Sequence, residues 1–203
     1  GRGFSFSQAA PVRRGGSILI MKFEETSLKD AWIIDLEPFV DARGYFARTF
    51  CANEFQAHGI DPKFVQCNLS YNHQAGTLRG MHIQNAPVEE SKLIRCARGA
   101  LYDVIIDLRP TSPTYLMHFG VELTADNKRM LYVPKGFAHG FQALQDDTEV
   151  MYMIDEFYTP EYQRGFRYND PIFAIDWPLP VEAISEKDAA WPLFETLQTP
   201  YFH

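Results

Sequence analysis

Alternation of apolar and polar side chains dominates the middle of the chain. In residues 100–109 one face carries four apolar side chains, at Tyr102, Val104, Ile106 and Leu108. Asp103 and Asp107 are expected on the opposite face. Residues 117–124 and 149–155 show the same interval between apolar positions. Because a repeat of two residues is typical of a β-strand with one packed face, the pattern predicts a strand in each segment.

Turn-forming sequences separate these strands, with RPTSPT after the first and TADNKR after the second. Many short strands at close spacing favour an antiparallel sandwich or barrel over βαβ units. Helix is sparse. One candidate is residues 53–59, where Asn53 can cap the start and Gly59 can end the helix, and another lies in residues 185–191. The predicted fold class is therefore all-β with a few short helices.

The chain has 203 residues, of which 46% are hydrophobic and 14% aromatic. One domain of this size buries an adequate core without disulfides, and we assign it to residues 21–203. Residues 1–20 are rich in Gly, Ser and Arg and precede Met21. We interpret them as a loose extension or a cloning remnant. Three widely spaced cysteines without a CxxC motif favour a reducing cytoplasm.

A formal net charge of −7 argues against a nucleic-acid partner, because phosphate backbones require a basic surface. It leaves room for a small phosphate ligand, which a few local arginines can hold. No apolar run approaches the roughly 20 residues that cross a bilayer, so we expect no membrane partner.

Two histidines stand in apolar surroundings: His82 in LRGMHIQ and His139 in VPKGFAHGF. A lone strand histidine is commonly a packed core residue, so neither establishes a site by itself. PKGFAH follows the PxGxxH pattern of cupin barrels, but a cupin metal site usually has a His-x-His pair, and here Gln84 stands at the second position. Two histidines and an amide are a poor ligand set for zinc or iron. A metal-dependent cupin remains an alternative.

Several motifs in order resemble one family. They are DARGYF (41–46), FVQCNLS (64–70), LRGMHIQ (78–84), KLIRCARGALYDVIIDLR (92–109), GVELTADNKRMLYVPKGFAHGF (120–141) and ISEKDAAWP (184–192). Together they resemble the dTDP-4-dehydrorhamnose 3,5-epimerases, metal-free cupins of nucleotide-sugar metabolism. The resemblance implies a cupin-type double-stranded β-helix, or jelly roll, and an enzyme that needs no cofactor.

The family acts on a nucleotide-linked sugar whose C4 ketone acidifies the C–H bonds at C3 and C5. A base forms an enolate, and an acid returns a proton to the opposite face. By resemblance, His82 is the base, Asp188 the carboxylate that orients it, and Tyr152 the acid. Lys92 is expected to offset the enolate charge.

The resemblance also implies a set of substrate-binding residues: Phe39, Arg43, Arg48, Gln66, Asn68, Arg79, Lys92, His139, Gln163 and Lys187. Arg79 is expected at a phosphate, which its planar guanidinium suits. Gln66 and Asn68 are expected at the nucleotide. Phe39 and Arg43 match residues that reach the partner subunit's site, which implies a homodimer with exchanged N-terminal strands.

Five positions depart from the family pattern, and they include Ile83, where the family usually has an aromatic residue, and Met153, where it usually has Lys. The family usually has Glu where Arg48 stands, often Asp where Cys67 stands, and often an acidic residue where Gln163 stands. These departures leave open the nucleotide (dTDP, CDP or GDP) and whether C3, C5 or both are inverted. Conversion of dTDP-4-dehydro-6-deoxy-D-glucose to dTDP-4-dehydro-L-rhamnose is the leading interpretation, and a non-catalytic sugar-nucleotide binder is a further alternative.

Overall fold

The computed structural model describes residues 13–14, 17–18, 20–61 and 63–194, so most of the predicted extension at residues 1–20 lies outside the described residues. The strands in the described ranges are β1 (Arg13–Arg14), β2 (Ser17–Ile18), β3 (Met21–Glu25), β4 (Trp32–Leu36), β5 (Phe39–Asp41), β6 (Gly44–Phe46), β7 (Gln66–Asn72), β8 (Thr77–Gln84), β9 (Lys92–Arg98), β10 (Ala100–Asp107), β11 (His118–Thr124), β12 (Met130–Val133), β13 (Phe137–Ala143), β14 (Thr148–Ile154), β15 (Gln163–Gly165) and β16 (Ala183–Ile184). The helices are α1 (Ala52–Ala57) and α2 (Glu186–Ala189), with a 3-10 turn at Pro160–Tyr162.

Two six-stranded sheets form the body of the fold. Sheet I has the order β11-β10-β13-β8-β15, with β16 also paired to β8, and sheet II has the order β3-β4-β12-β9-β14-β7. From β8 to β15 the chain crosses repeatedly between the sheets, and every pairing except β16 with β8 is antiparallel. This wrapping confirms the predicted all-β jelly roll.

Apolar side chains fill the space between the sheets. Leu101, Ile105 and Leu123 of sheet I meet Ile94 and Leu131 of sheet II, and all five are nearly inaccessible to solvent. Two further clusters cover the outer faces. One lies on sheet I beneath the segment 166–177, and the other lies on sheet II beneath α1. Burying such side chains stabilises the fold by about 1.5–3 kcal/mol each.

The prediction that β10 has one packed face was wrong. Val104 and Ile106 pack in the outer cluster under the C-terminal segment, while Leu101 and Ile105 pack between the sheets. Asp103 shares the inner face and is fully buried. The C-terminal segment covers the Val104 face, and sheet II covers the Asp103 face. The aspartates therefore have buried polar partners rather than water.

The predicted cap of α1 was also wrong. The helix begins at Ala52, its N-cap is Cys51, and no side chain makes a capping hydrogen bond. Phe55, which is fully buried, anchors the helix on sheet II, so tertiary packing rather than capping sets its position. Gly59 ends it as predicted, with φ at +75° in the left-handed region. Within the described ranges, neither helix has the length and apolar character that spanning a membrane requires.

A buried ionic network ties the N-terminal loop to the loop after β10. The Asp107 carboxylate accepts hydrogen bonds from Arg109 at 2.8 and 2.9 Å, from Ser112 at 2.5 Å and from Thr114 at 2.7 Å. Arg109 also reaches the Asp30 carboxylate at 2.8 Å. Burial alone would raise the pKa of Asp107, but these donors together hold it below its ordinary value.

We expect Asp107→Asn to lower the free energy of unfolding at pH 7 by about 3 kcal/mol, because it leaves the Arg109 guanidinium without its buried counterion. Since the folded-state pKa is depressed, the carboxylate's contribution is present above the unfolded pKa of about 3.9 and is lost as pH falls through the lower folded value. Urea unfolding should therefore show a difference in the free energy of unfolding between the wild type and Asp107→Asn that is smaller at pH 3 than at pH 7. Asp126→Asn, at an exposed loop position, is the control, and equal stability of both variants at pH 7 would contradict the prediction.

Candidate active site

A cleft opens between the two sheets at one end of the jelly roll. It has two lobes of about 470 and 480 Å³. Strands β8 and β13 of sheet I form one wall, and β7, β9 and β14 of sheet II form the other. The lobes share lining residues from both walls, which are Leu69, His82, Lys92, Tyr152 and Gln163. A space of this size and mixed polarity accommodates a small ligand.

His82 lies on β8 and is paired with Asp188, as the sequence predicted. The His82 Nε2 atom is 2.6 Å from Asp188 Oδ1. Asp188 reaches this position because β16 pairs in parallel with the start of β8, which places α2 beside the strand. Its carboxylate also accepts from the backbone N–H of Gly80 and from the Trp191 indole, each at 3.3 Å.

Asp188 is nearly fully buried, and its ionisation state follows from its partners. Burial alone would raise the pKa of Asp188, but the hydrogen bond and charge of His82, with the Gly80 and Trp191 donors, hold it below the ordinary value. Asp188 is therefore a carboxylate at neutral pH. Because Nε2 of His82 faces this carboxylate, Nδ1 is the ring nitrogen left to act on a molecule in the cleft.

A second histidine–aspartate pair lies beside the first. His139 on β13 is the direct cross-strand partner of His82, and its Nε2 is 3.0 Å from Asp103 Oδ2. Asp103 was not predicted as a site residue, because the alternation of β10 placed it on an outer face. The sequence does contain a signal for it. Asp103 stands between Leu101 and Ile105, which are as apolar as Val104 and Ile106 on the opposite face, and this indicates that both faces are packed. Among the described residues, no group of three or more His, Cys, Asp or Glu side chains is placed to hold a metal ion.

Sheet II supplies a phenol and an ammonium across the cleft from the histidines. Tyr152 lies on β14, pairs with Ile94 and Asn68, and is half-buried against the core. Lys92 begins β9, is 9% exposed, and forms an ion pair with Glu90 at 3.0 Å. A molecule bound between the walls would meet an imidazole on one side and a phenol on the other.

Most predicted binding residues also reach the cleft. Arg79 lines the first lobe, where its Nε donates to the Asn72 side chain at 2.9 Å. Gln66 and Asn68 line the second lobe. Gln163 lines both lobes and accepts hydrogen bonds from Tyr158 at 2.7 Å and from Lys187, which lies behind it rather than in the lining.

Besides Lys187, three predicted binding residues do not reach the cleft of their own chain. Phe39 and Arg43 belong to the β5–β6 hairpin, which pairs with neither six-stranded sheet. The Arg43 side chain is 88% exposed and forms an ion pair with Asp41. Arg48 forms an ion pair with Glu54 of α1. Glu90 and Tyr158 also line the second lobe and were not predicted, because they lie in loops without hydrophobic periodicity.

Comparison with known proteins matches this geometry to one family. The family model for dTDP-4-dehydrorhamnose 3,5-epimerase matches residues 25–196. The chain is similar to the dTDP-4-dehydrorhamnose 3,5-epimerase of Methanothermobacter thermautotrophicus, with 46% identity over 86% of this chain and 95% of the relative.

Solved structures show the same likeness. A dTDP-4-dehydrorhamnose 3,5-epimerase from Bacillus anthracis with TDP and pyrophosphate bound has 44% identity and a TM-score of 0.83, over 86% of this chain and 99% of that one. A 3,5-epimerase from Legionella pneumophila in complex with dTDP-4-keto-L-rhamnose has 37% identity and a TM-score of 0.85, over 90% and 97%. This chain therefore belongs to the dTDP-4-dehydrorhamnose 3,5-epimerase family.

Proposed function

We propose that this protein inverts C3 and C5 of dTDP-4-dehydro-6-deoxy-D-glucose to give dTDP-4-dehydro-L-rhamnose. The observation that carries the proposal is the His82–Asp188 pair on one wall of the cleft with Tyr152 on the other. The Legionella pneumophila relative was solved with a molecule of this class, dTDP-4-keto-L-rhamnose. Inversion at carbon requires proton removal on one face and proton return on the other, and the two walls supply these groups.

The first step is proton removal. His82 Nδ1 takes the proton from C3 or C5, and the electron pair of the broken C–H bond forms the enolate with the C4 carbonyl. The imidazolium that results is stabilised by the Asp188 carboxylate, 2.6 Å from Nε2. The Lys92 ammonium lies in the same cleft and offsets the charge on the enolate oxygen.

The second step is proton return. Tyr152 donates its phenolic proton to the opposite face of the same carbon, and the enolate returns to the ketone with inverted configuration. His82 then releases its proton to water, and the Tyr152 phenolate regains one. The sequence of steps is redox-neutral and is repeated at the second carbon.

The remaining cleft residues suit a nucleoside diphosphate. Arg79 offers a guanidinium for the diphosphate, Gln66 and Asn68 offer amides for the nucleotide, and Gln163 and Lys187 extend this polar rim. His139 faces the sugar in the first lobe. The ion pair of Arg48 with Glu54 supports dTDP as the nucleotide, because it neutralises the charge that set this sequence apart from the family pattern.

We further propose a homodimer in which each β5–β6 hairpin reaches the partner's cleft with Phe39 and Arg43. The hairpin exposes Val40 and Tyr45 at 72% and 56%, which is unusual for side chains meant to face water. Strand β7, at the edge of sheet II, exposes Leu69 at 61% and leaves backbone groups of its outer edge to pair. Both features support association of two copies.

Two coarser assignments complete the proposal. We take residues 21–203 as one catalytic domain, which is supported by the strands that link both sheets through a common core. We place the enzyme in the cytoplasm, which is supported by the absence of a disulfide among Cys51, Cys67 and Cys96.

In D2O, we expect the wild-type enzyme to incorporate deuterium at C3 and C5 of dTDP-4-keto-6-deoxyglucose, read by NMR. His82→Ala should slow incorporation by at least about 10²-fold, because it removes the base. His118→Ala changes an exposed histidine on β11 and should match the wild type. Deuterium at one carbon alone would identify a single-carbon epimerase. Its absence from both carbons would contradict the proposed function.

Tyr152→Phe should impair inversion more than proton removal, because the base is intact while the acid across the cleft is missing. Deuterium exchange with retained configuration should then outlast formation of the epimer by about tenfold or more. NMR measures both in one sample. If exchange and inversion fell equally, Tyr152 would not be the acid.

The exchanged hairpins predict complementation between two defective variants. The His82→Ala variant lacks the base and keeps an intact hairpin, whereas the Phe39→Ala variant keeps the base and has a defective hairpin. In a mixed dimer, one site combines the intact base with the intact hairpin. Random pairing should therefore restore about a quarter of wild-type activity after co-expression, as expected for a two-fold dimer. If each hairpin served its own subunit, the mixture would gain nothing.

A further inference from the structure

A second carboxylate faces the cleft, in addition to the groups used above. Glu90 lies in the loop 85–91 between β8 and β9, lines the second lobe, and has a side chain that is 11% exposed. Its Oε1 atom is 3.0 Å from Nζ of Lys92, two residues later in the chain. The Lys92 ammonium is the group proposed to offset the enolate charge. A carboxylate at this distance therefore affects the position of that ammonium.

Two side chains anchor the loop that carries Glu90, one from the end of β8 and one from the residue after β14. Gln84 Nε2 donates to the carbonyl of Val88 at 2.6 Å. At the other end, the Asp155 carboxylate accepts from the N–H of Ser91 at 2.6 Å, and the N–H of Asp155 donates to the Ser91 carbonyl at 3.3 Å. Glu90 thus stands on an anchored backbone, which is what a residue that positions another requires.

Lys92 needs such a partner. It is 9% exposed, and an ammonium removed from water is costly unless it is paired. Its four-carbon stem is flexible and does not by itself fix where the charge stands. Within the described part of the chain, Glu90 is the only carboxylate within ion-pair distance of Lys92.

We propose that Glu90 is the positioning residue for Lys92 and sets the place of its ammonium against the enolate oxygen. An ammonium has three N–H donors. We take one of them to face Glu90 Oε1, 3.0 Å from Nζ, which leaves the other two for the cleft. This inference rests on the proposed function, because it takes the enolate as the charge that Lys92 meets.

Deuterium incorporation into dTDP-4-keto-6-deoxyglucose tests this role. Glu90→Ala should lower the maximal exchange rate by about 10–100-fold with KM within about threefold, because a misplaced ammonium weakens stabilisation of the enolate more than it weakens binding of the substrate. Glu90→Gln keeps an oxygen that accepts from Nζ and should recover most of the rate. Glu89→Ala is the matched control, since Glu89 lies in the same loop but lines a different cavity.

A double-mutant cycle separates this role from a structural one. In a Lys92→Met background, Glu90→Ala should cause no further loss, because both changes remove one interaction. An equal further loss in that background would overturn the proposal. So would a wild-type rate in Glu90→Ala, or a Glu90→Gln variant as slow as Glu90→Ala. Absence of exchange in the wild type would instead overturn the proposed function, and this inference with it.

Discussion

The contact between His82 and Asp188 is the interaction on which the rest of the site depends, and the backbone makes it possible. Gly80 donates its N–H to Asp188 at 3.3 Å and has φ at +128°, a conformation that favours glycine. A Cβ on Gly80 would lie 2.5 Å from the Cα of Gly140 on the neighbouring strand. The two glycines let β8 and β13 approach closely where each carries its histidine.

The carboxylates that face the two histidines come from different layers of the fold. Asp188 arrives from the C-terminal segment, guided by the pairing of β16 with β8, whereas Asp103 comes from β10 within sheet I. Both are almost fully buried, and each has a histidine among its polar partners. The histidines therefore stabilise buried carboxylates of the fold in addition to the roles proposed for them in the cleft.

The sequence predicted the strands and the fold class because alternation is a local property of the chain. It could not predict what covers each face. The segment 166–177 covers the Val104 face of β10, and sheet II covers the face of Asp103, which is therefore buried rather than exposed as predicted. For the site, resemblance identified residues that no periodicity links, such as Asp188. Glu90 was not predicted, because the role of a loop residue depends on a spatial contact that the sequence pattern does not show.

The cleft walls belong to different sheets, so the distance between residues on one wall and the distance across the cleft are set by different interactions. The spacing between His82 and His139 along one wall is set by the pairing of β8 with β13. The gap across the cleft, from His82 to Tyr152, is instead set by how thickly side chains such as Ile94 and Ile105 fill the layer between the sheets. The distance between the proposed base and the proposed acid thus depends on the volume of the core. Exchanging one aliphatic core residue for another, far from any ligand, would change this distance and with it the range of molecules that fit.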